Sequence, residues 1–428
     1  MTPRVAVMQD GARLHYALPL ALHRQDALEV MFTDWFVTSG SGNEALARLL
    51  RLVSPGLGQR MEGRRCPELP PSRVAASPAT ALKTWLTRLR QQPPEVREAR
   101  LAAWMGAWVA RRGWGGADCL MGFVRNIDPG LCAAAHAAGL LTVVDQIIAP
   151  AVVEHAALEV QAARWPAWAP ARLLAPARGV PELERRTWDA ADHITCPSAY
   201  VRAGLRQQGV PESKVSVLPY PIDAGSWTAP DRRGRAGPVT VGFVGAVGLR
   251  KGAPVVFEAA RRLDPARVRF VMVGPVHAPP AALASAGAVV LTGAVPRPAI
   301  AGHLQAFDLF LLPSACEGSA GAVMEAMASG LPVVTTPSAG TPVRDGVDGF
   351  VRDVADLDGL AGCVERLAGD ACLRHMMGKA AREQAEAFCI DTYGRNLVAL
   401  LRRLRAEFCN AAHTTEASPP PPPPAWWR

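Results

Sequence analysis

Short aliphatic and β-branched runs alternate with longer stretches of helical pattern along nearly the whole chain, and that alternation admits few folds. Strands joined through helices must pair in parallel, with the helices covering the sheet. In the first half the strand runs fall near Val5–Met8, Glu29–Phe32, Cys119–Phe123, Leu141–Val144, Ile194–Cys196 and Val215–Leu218. In the second they fall near Val239–Val244, Arg269–Val273, Val289–Leu291, Leu309–Leu312 and Pro332–Thr335. They are almost uniformly apolar, as strands buried on both faces must be. A chain of 428 residues is too long for one compact core, so the pattern predicts two α/β domains. The stretch Pro219–Pro238, rich in Pro, Gly and charge, is the expected linker, which puts one domain at 1–230 and the next at 231–405. Residues 406–428 are expected to form a disordered tail, because the closing TTEASPPPPPPAWWR favours extended polyproline II and cannot join a core.

A net charge of +8 favours anionic partners. Nucleic acid is not expected among them, since the chain has no zinc-finger spacing, no aromatic RNP-type strand and no long Lys/Arg tract. Nine cysteines, scattered from Cys66 to Cys409 with no C-x-x-C pair, fit a reducing compartment better than a disulfide framework or a zinc site. Charges at Arg4, Asp10, Arg13 and His15 interrupt the N-terminal stretch before a secretory core can form, and no run approaches the roughly 18 apolar residues of a membrane span. The expectation is a cytoplasmic protein whose membrane contact, if any, is peripheral and at the inner face. Residues 83–112 are the expected contact, with seven Lys/Arg against two Glu interleaved with Trp85, Trp104 and Trp108. Trp104 and Trp108 lie one turn apart and with Leu101 form an apolar stripe beside Arg97, Arg100, Arg111 and Arg112. That stripe suits either a helix packed on the sheet or one lying on a membrane surface.

The chemistry concentrates in the second half. SACEGSAGAVMEAMASGLPVVTT, Ser314–Thr336, reads as a strand end, a helix over about Ser319–Ser329 stopped by Gly330 and Pro332, and a further strand. The small residues Gly318, Ser319, Ala320 and Gly321 thus open a helix at the carboxyl end of a parallel strand, where open α/β sheets bind ligands. Unpaired N–H groups and the positive end of the helix dipole suit a phosphate there. Glu317 precedes the helix and Glu325 lies about two turns on, so the two carboxylates can serve different ends of one ligand, Glu325 a ribose diol and Glu317 a sugar hydroxyl. The alternative is that Glu317 caps the helix and Glu325 is solvated. Upstream, VTVGFVGAVGLRKGAPVVFEAARRL gives a strand, a turn with Gly242, Gly245, Gly248 and Gly252, and a helix over about Ala253–Leu263. Arg250 and Lys251 sit in that turn and can neutralise a diphosphate. The glycines match neither the Walker spacing nor the dinucleotide fingerprint, so ATP hydrolysis and hydride transfer are not supported.

To these motifs the second half adds VMVG at Val271–Gly274, LTGAVP at Leu291–Pro296, FDLFLLPS and RDGVDGF at Arg344–Phe350. The first half adds GARLHYALP, a TD after a strand, VVDQIIAP and ADHITCPSAYVRAGL. In this order they resemble the family 4 glycosyltransferases of the GT-B fold, up to about residue 405. The resemblance implies two Rossmann-like, doubly wound α/β domains facing a cleft, with the acceptor on the first and a nucleotide diphosphate sugar on the second. It also implies transfer to a glycan or lipid-linked acceptor with retention of configuration, without metal or cofactor. Carried onto this sequence, Glu317, Arg250 and Lys251 are the expected catalytic residues, and Gly245, Gly274, Gly318, Ser319, Ala320, Gly321 and Glu325 the expected donor contacts. The leaving diphosphate would take the acceptor proton while Arg250 and Lys251 stabilise its developing charge.

Four positions depart from the family pattern. Ala246 stands where many members carry Arg, so Arg250 beside Lys251 is expected to supply the second cation. SAGTPVRDGVDG lacks the usual Glu before RDG, and Ala320 replaces a common Gly. No His aligns after the fourth strand, where Asp145 in VVDQ is expected to substitute. Arg13 and His15 are the acceptor-side candidates, while His155 and His193 read as structural. DLD at Asp356–Asp358 resembles a metal-binding D-x-D but precedes a helix and reads as its N-cap. The departures keep two competing readings open: a catalytically weak GT-B protein that binds nucleotide or polysaccharide, and a nucleotide-sugar epimerase.

Overall fold

The computed structural model describes residues 2–89, 94–169, 179–232, 234–283 and 289–415. One sheet holds β1 (Val5–Met8), β2 (Leu28–Thr33), β3 (Val74–Ala76), β4 (Cys119–Phe123), β5 (Leu141–Asp145), β6 (His193–Cys196) and β7 (Val215–Val217), in the order β3-β2-β1-β4-β5-β6-β7. The other holds β8 (Val239–Val244), β9 (Val268–Val273), β10 (Val289–Gly293), β11 (Leu309–Leu312), β12 (Val333–Thr335) and β13 (Gly349–Val351), in the order β10-β9-β8-β11-β12-β13. Every pairing is parallel, so each sheet is doubly wound. The expected strands are all present. The two unforeseen ones, β3 and β13, are three-residue edge strands too short to leave a pattern.

In each sheet the winding reverses once, between β1 and β4 and between β8 and β11. The carboxyl ends of strands at such a reversal splay their loops apart and leave a crevice. The loops that leave these strands carry Arg13 and His15 in the first sheet, and Arg250, Lys251 and Glu317 in the second.

The linear division near residue 230 is not the division of the cores. The last helix, Ile390–Thr415, returns to the first sheet, where Tyr393, Leu397 and Leu401 are buried with Leu18 and Leu22. Its run to Thr415 also makes 406–415 helical where a tail was expected, while 416–428 lie outside the described residues. In exchange, Leu158, Ala162 and Trp168 from the first half join the buried cluster of the second sheet, with Trp168 edge-on to Phe257 at 4.9 Å between centroids. Residues 83–112 form parts of two helices, Pro78–Leu89 and Pro94–Arg112. Trp104 and Trp108 are half-buried, and Trp108 stands edge-on to Phe32 at 5.7 Å, so the second of these helices packs on the sheet. The side chains of Trp85 and Arg97 lie outside the described residues.

The two crossings between the domains are tied together. Ile222 N–H donates to the Phe388 carbonyl at 2.8 Å, joining the linker to the segment that leads back. Tyr220, at the start of the linker, donates its hydroxyl to Asp145, whose other carboxylate oxygen accepts from Thr195 Oγ1 at 2.8 Å. Further along the linker, Arg232 donates to the carbonyls of Leu304 (3.2 Å), Phe307 (2.7 Å), Ser329 (3.1 Å) and Gly330 (3.4 Å). These carbonyls close the helices Ala299–Ala306 and Gly321–Ala328, and a cation at a helix C-terminus satisfies both the orphan carbonyls and the dipole. Burial, helped by nearby Arg235, pulls the Arg232 pKa down to about 10, which leaves it charged at neutral pH.

Arg232→Met should therefore cost about 1.5 to 3 kcal/mol, the worth of hydrogen bonds from a charged donor. Calorimetry should show a lower thermal midpoint at neutral pH, and an unchanged midpoint would mean the guanidinium holds nothing together. Asp145 offers a second test, because burial raises its pKa to about 6, against the pull of the Tyr220 and Thr195 hydrogen bonds. The protonated carboxyl thus favours the folded state at low pH, and that contribution, about 3 kcal/mol, is lost as pH rises from about 4 through 6. Asp145→Asn lacks the titration, so the stability of wild type relative to this variant should fall across that window in denaturant unfolding. A constant difference would remove Asp145 as a titrating group.

Candidate active site

The loops after β8, β9 and β11 converge at the second switch point. At Gly245, with φ +147°, a Cβ would overlap the side-chain stem of Lys251, and at Gly274 a Cβ would overlap the Gly245 carbonyl. The absence of side chains at these two positions is what lets the cation loop fold over the strand ends. Lys251 Nζ then lies 2.8 Å from Glu317 Oε1, and Arg250 Nη1 lies 2.7 Å from Glu317 Oε2. Burial works against the Arg250 charge, but the Glu317 carboxylate outweighs it and holds the pKa above its ordinary value. One carboxylate shared by two cations leaves the cluster with a surplus positive charge.

Beside this triad the helix begins at Gly321, two residues later than expected. Its N-cap is Ala320, which has no side-chain acceptor, and Glu317 does not cap it. The Ala320 amide is taken by the Ala339 carbonyl at 2.9 Å, whereas Gly321 is exposed and has open space around its Cα. Gly321 and Ala322, the first two residues of this helix, thus have no side-chain cap, while the Val323 N–H is taken by the Ala320 carbonyl at 2.9 Å. Ser319 is half-buried next to them. Glu325 is not solvated: it is 7% exposed, and Arg297 Nη2 lies 2.5 Å from its Oε1. The Arg297 guanidinium also stands over the Trp227 ring, 5.4 Å from the centroid. The reading of Glu317 as a cap and Glu325 as a surface residue is thus excluded by their surroundings.

Gly318 has a different place from the one expected. A Cβ there would overlap the Ile147 carbonyl in the loop after β5, and its own carbonyl accepts from Ser198 Oγ at 2.7 Å. It is a contact point between the domains. The first domain brings the loop after β1 to the cleft. Arg13 Nε pairs with Asp10 at 2.8 Å, and its guanidinium lies 5.9 Å from the Phe123 ring centroid. Leu14, His15 and Tyr16 all adopt left-handed backbone, with φ of 48°, 51° and 63°. Burial lowers the His15 pKa, and the charge of Arg297 lowers it further while Glu325 opposes.

Asp145 does not join these residues. It is 4% exposed inside the first domain, with both carboxylate oxygens committed to Thr195 and Tyr220, and it anchors the linker where a catalytic role was expected. His193 is buried against Ser216 Oγ at 2.9 Å, with burial lowering its pKa to about 4, and His155 pairs with Glu159 at 3.1 Å. Asp356 of the DLD run accepts from Gly359 N–H at 2.8 Å and caps the helix Leu357–Gly369, while Asp358 pairs with Arg262. Sequence reasoning missed Arg297, one residue beyond the LTGAVP run, and Ser198, whose hydroxyl both caps the helix Ala199–Gln207 and reaches Gly318. Thr341 stands in the loop that lacks the usual Glu, and its buried Oγ1 has no hydrogen-bond partner among the described residues.

The family described as Glycosyl transferases group 1 matches residues 238–370, and that described as Glycosyltransferase Family 4 matches residues 63–225. A sulfoquinovosyl transferase of Arabidopsis thaliana is 30% identical over 150 residues, 34% of this chain and 29% of that protein. A GDP-mannose-dependent alpha-(1-6)-phosphatidylinositol monomannoside mannosyltransferase of Mycolicibacterium smegmatis is 30% identical over 227 residues, 47% of this chain and 59% of that one. The chain thus spans less than two thirds of the length of either relative. Among solved structures, the sucrose-phosphate synthase of Thermosynechococcus elongatus superposes with a TM-score of 0.63 at 15% identity, covering 95% of this chain and all of that one. Anabaena HepE in complex with UDP and glucose superposes at 0.58 and 16%, covering 94% and 99%. At these identities the superpositions establish the fold. With adjoining family matches over both halves and two doubly wound sheets meeting at a cleft, the chain belongs to the group 1, family 4 glycosyltransferases of the GT-B fold.

Proposed function

We propose that the chain transfers a sugar from a nucleoside diphosphate sugar to a glycan or lipid-linked acceptor, with retention of configuration and without a metal ion. The observation that carries this reading is the triad of Glu317, Arg250 and Lys251 beside an uncapped helix N-terminus. The surplus cation and the uncapped N–H groups of Gly321 and Ala322 offer a diphosphate both charge and hydrogen-bond donors. Such donors stabilise a leaving group most strongly when its negative charge is greatest, which is in the transition state. Glu325, about one turn into the helix, would accept from a ribose diol, and Arg297 must share or release its carboxylate when a ribose arrives. Thr341 offers a sugar hydroxyl the contact that a Glu in its loop would give. Across the cleft, His15 and Arg13 are the groups available to the acceptor.

The two glutamates should separate in kinetics. Glu325 would hold a part of the donor that is unchanged by transfer, so Glu325→Ala should mainly raise the donor KM. Glu317 orders both cations that meet the leaving group, so Glu317→Ala should mainly lower kcat. Each effect should be about ten- to a hundredfold, the worth of one charge-assisted hydrogen bond. Wild-type constants in both folded variants would overturn the assignment. Because cations of the chain itself meet the diphosphate, turnover in excess EDTA should equal turnover without it. Loss of activity that manganese or magnesium restores would refute the metal-free mechanism.

A further inference from the structure

The linker and the helix Ala371–Ala387 enclose a cavity of about 320 Å³. Asp308, Gly330 and Pro332 place it at the amino ends of β11 and β12, opposite the carboxyl ends that face the cleft. Helix ends give this place its chemistry. Arg232, on the linker wall, serves the last carbonyls of two helices. Arg382 donates to the carbonyls of Ala328 and, at 2.7 Å, Trp227. Arg374 donates to those of Leu367 at 2.6 Å and Ala368 at 2.9 Å, at the end of the helix Leu357–Gly369. A helix end carries about half a negative charge and a guanidinium a whole positive one, so each pairing leaves positive charge over. Carboxylates absorb only part of it. Arg382 pairs with Glu386 at 2.6 Å, and Asp308 is held by the Thr240 N–H at 2.8 Å and by Arg235 at 3.4 Å. Arg232 and Arg374 make no ion pair among the described residues. Lys379 meets Glu383 only at 3.8 Å, with side chains 73% and 64% exposed, a contact worth little in water. His375 adds a further imidazole to the lining, and the exposed Asp231 is its second acid. The lowered pKa of Arg232, caused by burial first and then by Arg235, is that of a cation whose charge is not fully met.

We propose that this cavity is a second anion site, separate from the cleft, that takes a small phosphorylated metabolite of the sugar phosphate or pyrophosphate class, with Arg374 and Lys379 meeting the phosphate. Its volume is at the low end of ligand pockets, roughly 300 to 1,000 Å³, which suits a molecule of that size. No Phe, Tyr or Trp is among its described lining residues, so a nucleobase has no ring to stack on. The site touches three elements at once. Gly378 lies where a Cβ would overlap the Gly330 carbonyl, so the helix Ala371–Ala387 rests directly on the end of Gly321–Ala328, and the linker closes the other side. An occupant therefore holds the linker, this helix and that helix end together, and binds the folded chain alone. The binding does not rest on the proposed transferase activity.

The test is titration calorimetry of the full chain with pyrophosphate and with glucose 6-phosphate, at constant ionic strength so that screening does not change. An Arg250→Gln, Lys251→Gln background removes the cations of the cleft. This background should still bind at least one of the two probes saturably, and that probe should raise its thermal midpoint. Adding Arg374→Gln and Lys379→Gln should weaken the binding by about tenfold or more, the loss of charge-assisted hydrogen bonds. Lys379→Gln alone, at an exposed side chain whose loss leaves the fold intact, should weaken it by about threefold or more. The probe bound more tightly identifies the ligand as a sugar phosphate or a pyrophosphate. No saturable binding of either probe in the background, or equal affinity with and without the Lys379 substitution, overturns the proposal. So does binding seen in wild type and lost in the background, which would put the ligand in the cleft alone. Failure of the wild type to bind UDP or GDP would count against the transferase reading and not against this cavity.

Discussion

A single carboxylate governs the charge of the second domain's switch point. Glu317 is 8% exposed and faces two cations that would otherwise repel each other across the loop after β8. A largely buried carboxylate is tolerable only when it is paired and hydrogen-bonded, and here the pairing is oversupplied. The same economy holds one turn into the helix, where Arg297 satisfies Glu325. Both acids that the sequence marks as ligand groups are therefore neutralised inside the protein, and the positive surplus sits at the triad, next to the free end of the helix dipole. An anionic ligand enters such a place by adding to existing pairs, without first stripping water from bare charges.

That arrangement depends on how the domains are held, and they are held by exchange. The last helix is part of the first domain's core, and Leu158, Ala162 and Trp168 are part of the second's. The two crossings are joined at Ile222 and Phe388, and the linker is fixed at one end through Tyr220 to Asp145 and at the other through Arg232 to two helix ends. One of those helices, Gly321–Ala328, presents its other end to the cleft. The linker is thus braced directly against the helix whose other end faces the cleft. Close to that end, Gly318 meets the first domain without a side chain to keep it apart.

Much of this was legible in the sequence, for physical reasons that can be named. The strands of both sheets' interiors were visible because burial on two faces demands continuous apolar runs, and β3 and β13 were not, because three residues at an edge carry no such demand. The triad was visible in its parts, since two adjacent cations in a glycine-rich turn and a Glu ahead of a helix are local patterns. That one residue serves the other two was not, because it depends on β8 and β11 lying side by side. Asp145 was misplaced for the same kind of reason: its position at a strand end was readable, but its partners Thr195 and Tyr220 are 50 and 75 residues away. The domain boundary failed because composition marks where the chain is a linker and says nothing of where a helix packs once it has crossed back.

The first domain's share of the cleft is where sequence pattern and structure differ most, and the backbone shows why. With Asp145 committed to the linker, the first domain's candidate histidine is His15, from the loop after β1 and not the loop after β5. Its turn takes three consecutive left-handed residues, none of them glycine, each at a cost of about 1 to 2 kcal/mol. The surroundings hold the turn in place. Gln9, fully buried, donates its side-chain amide to the carbonyls of Gly11 at 3.1 Å and Arg13 at 3.3 Å, and Tyr16 is locked edge-on to Phe36 at 5.4 Å. A buried amide on one side and a buried ring on the other hold the strained turn that carries His15, whose own side chain is exposed. The backbone that carries His15 is therefore set by the first domain's core packing.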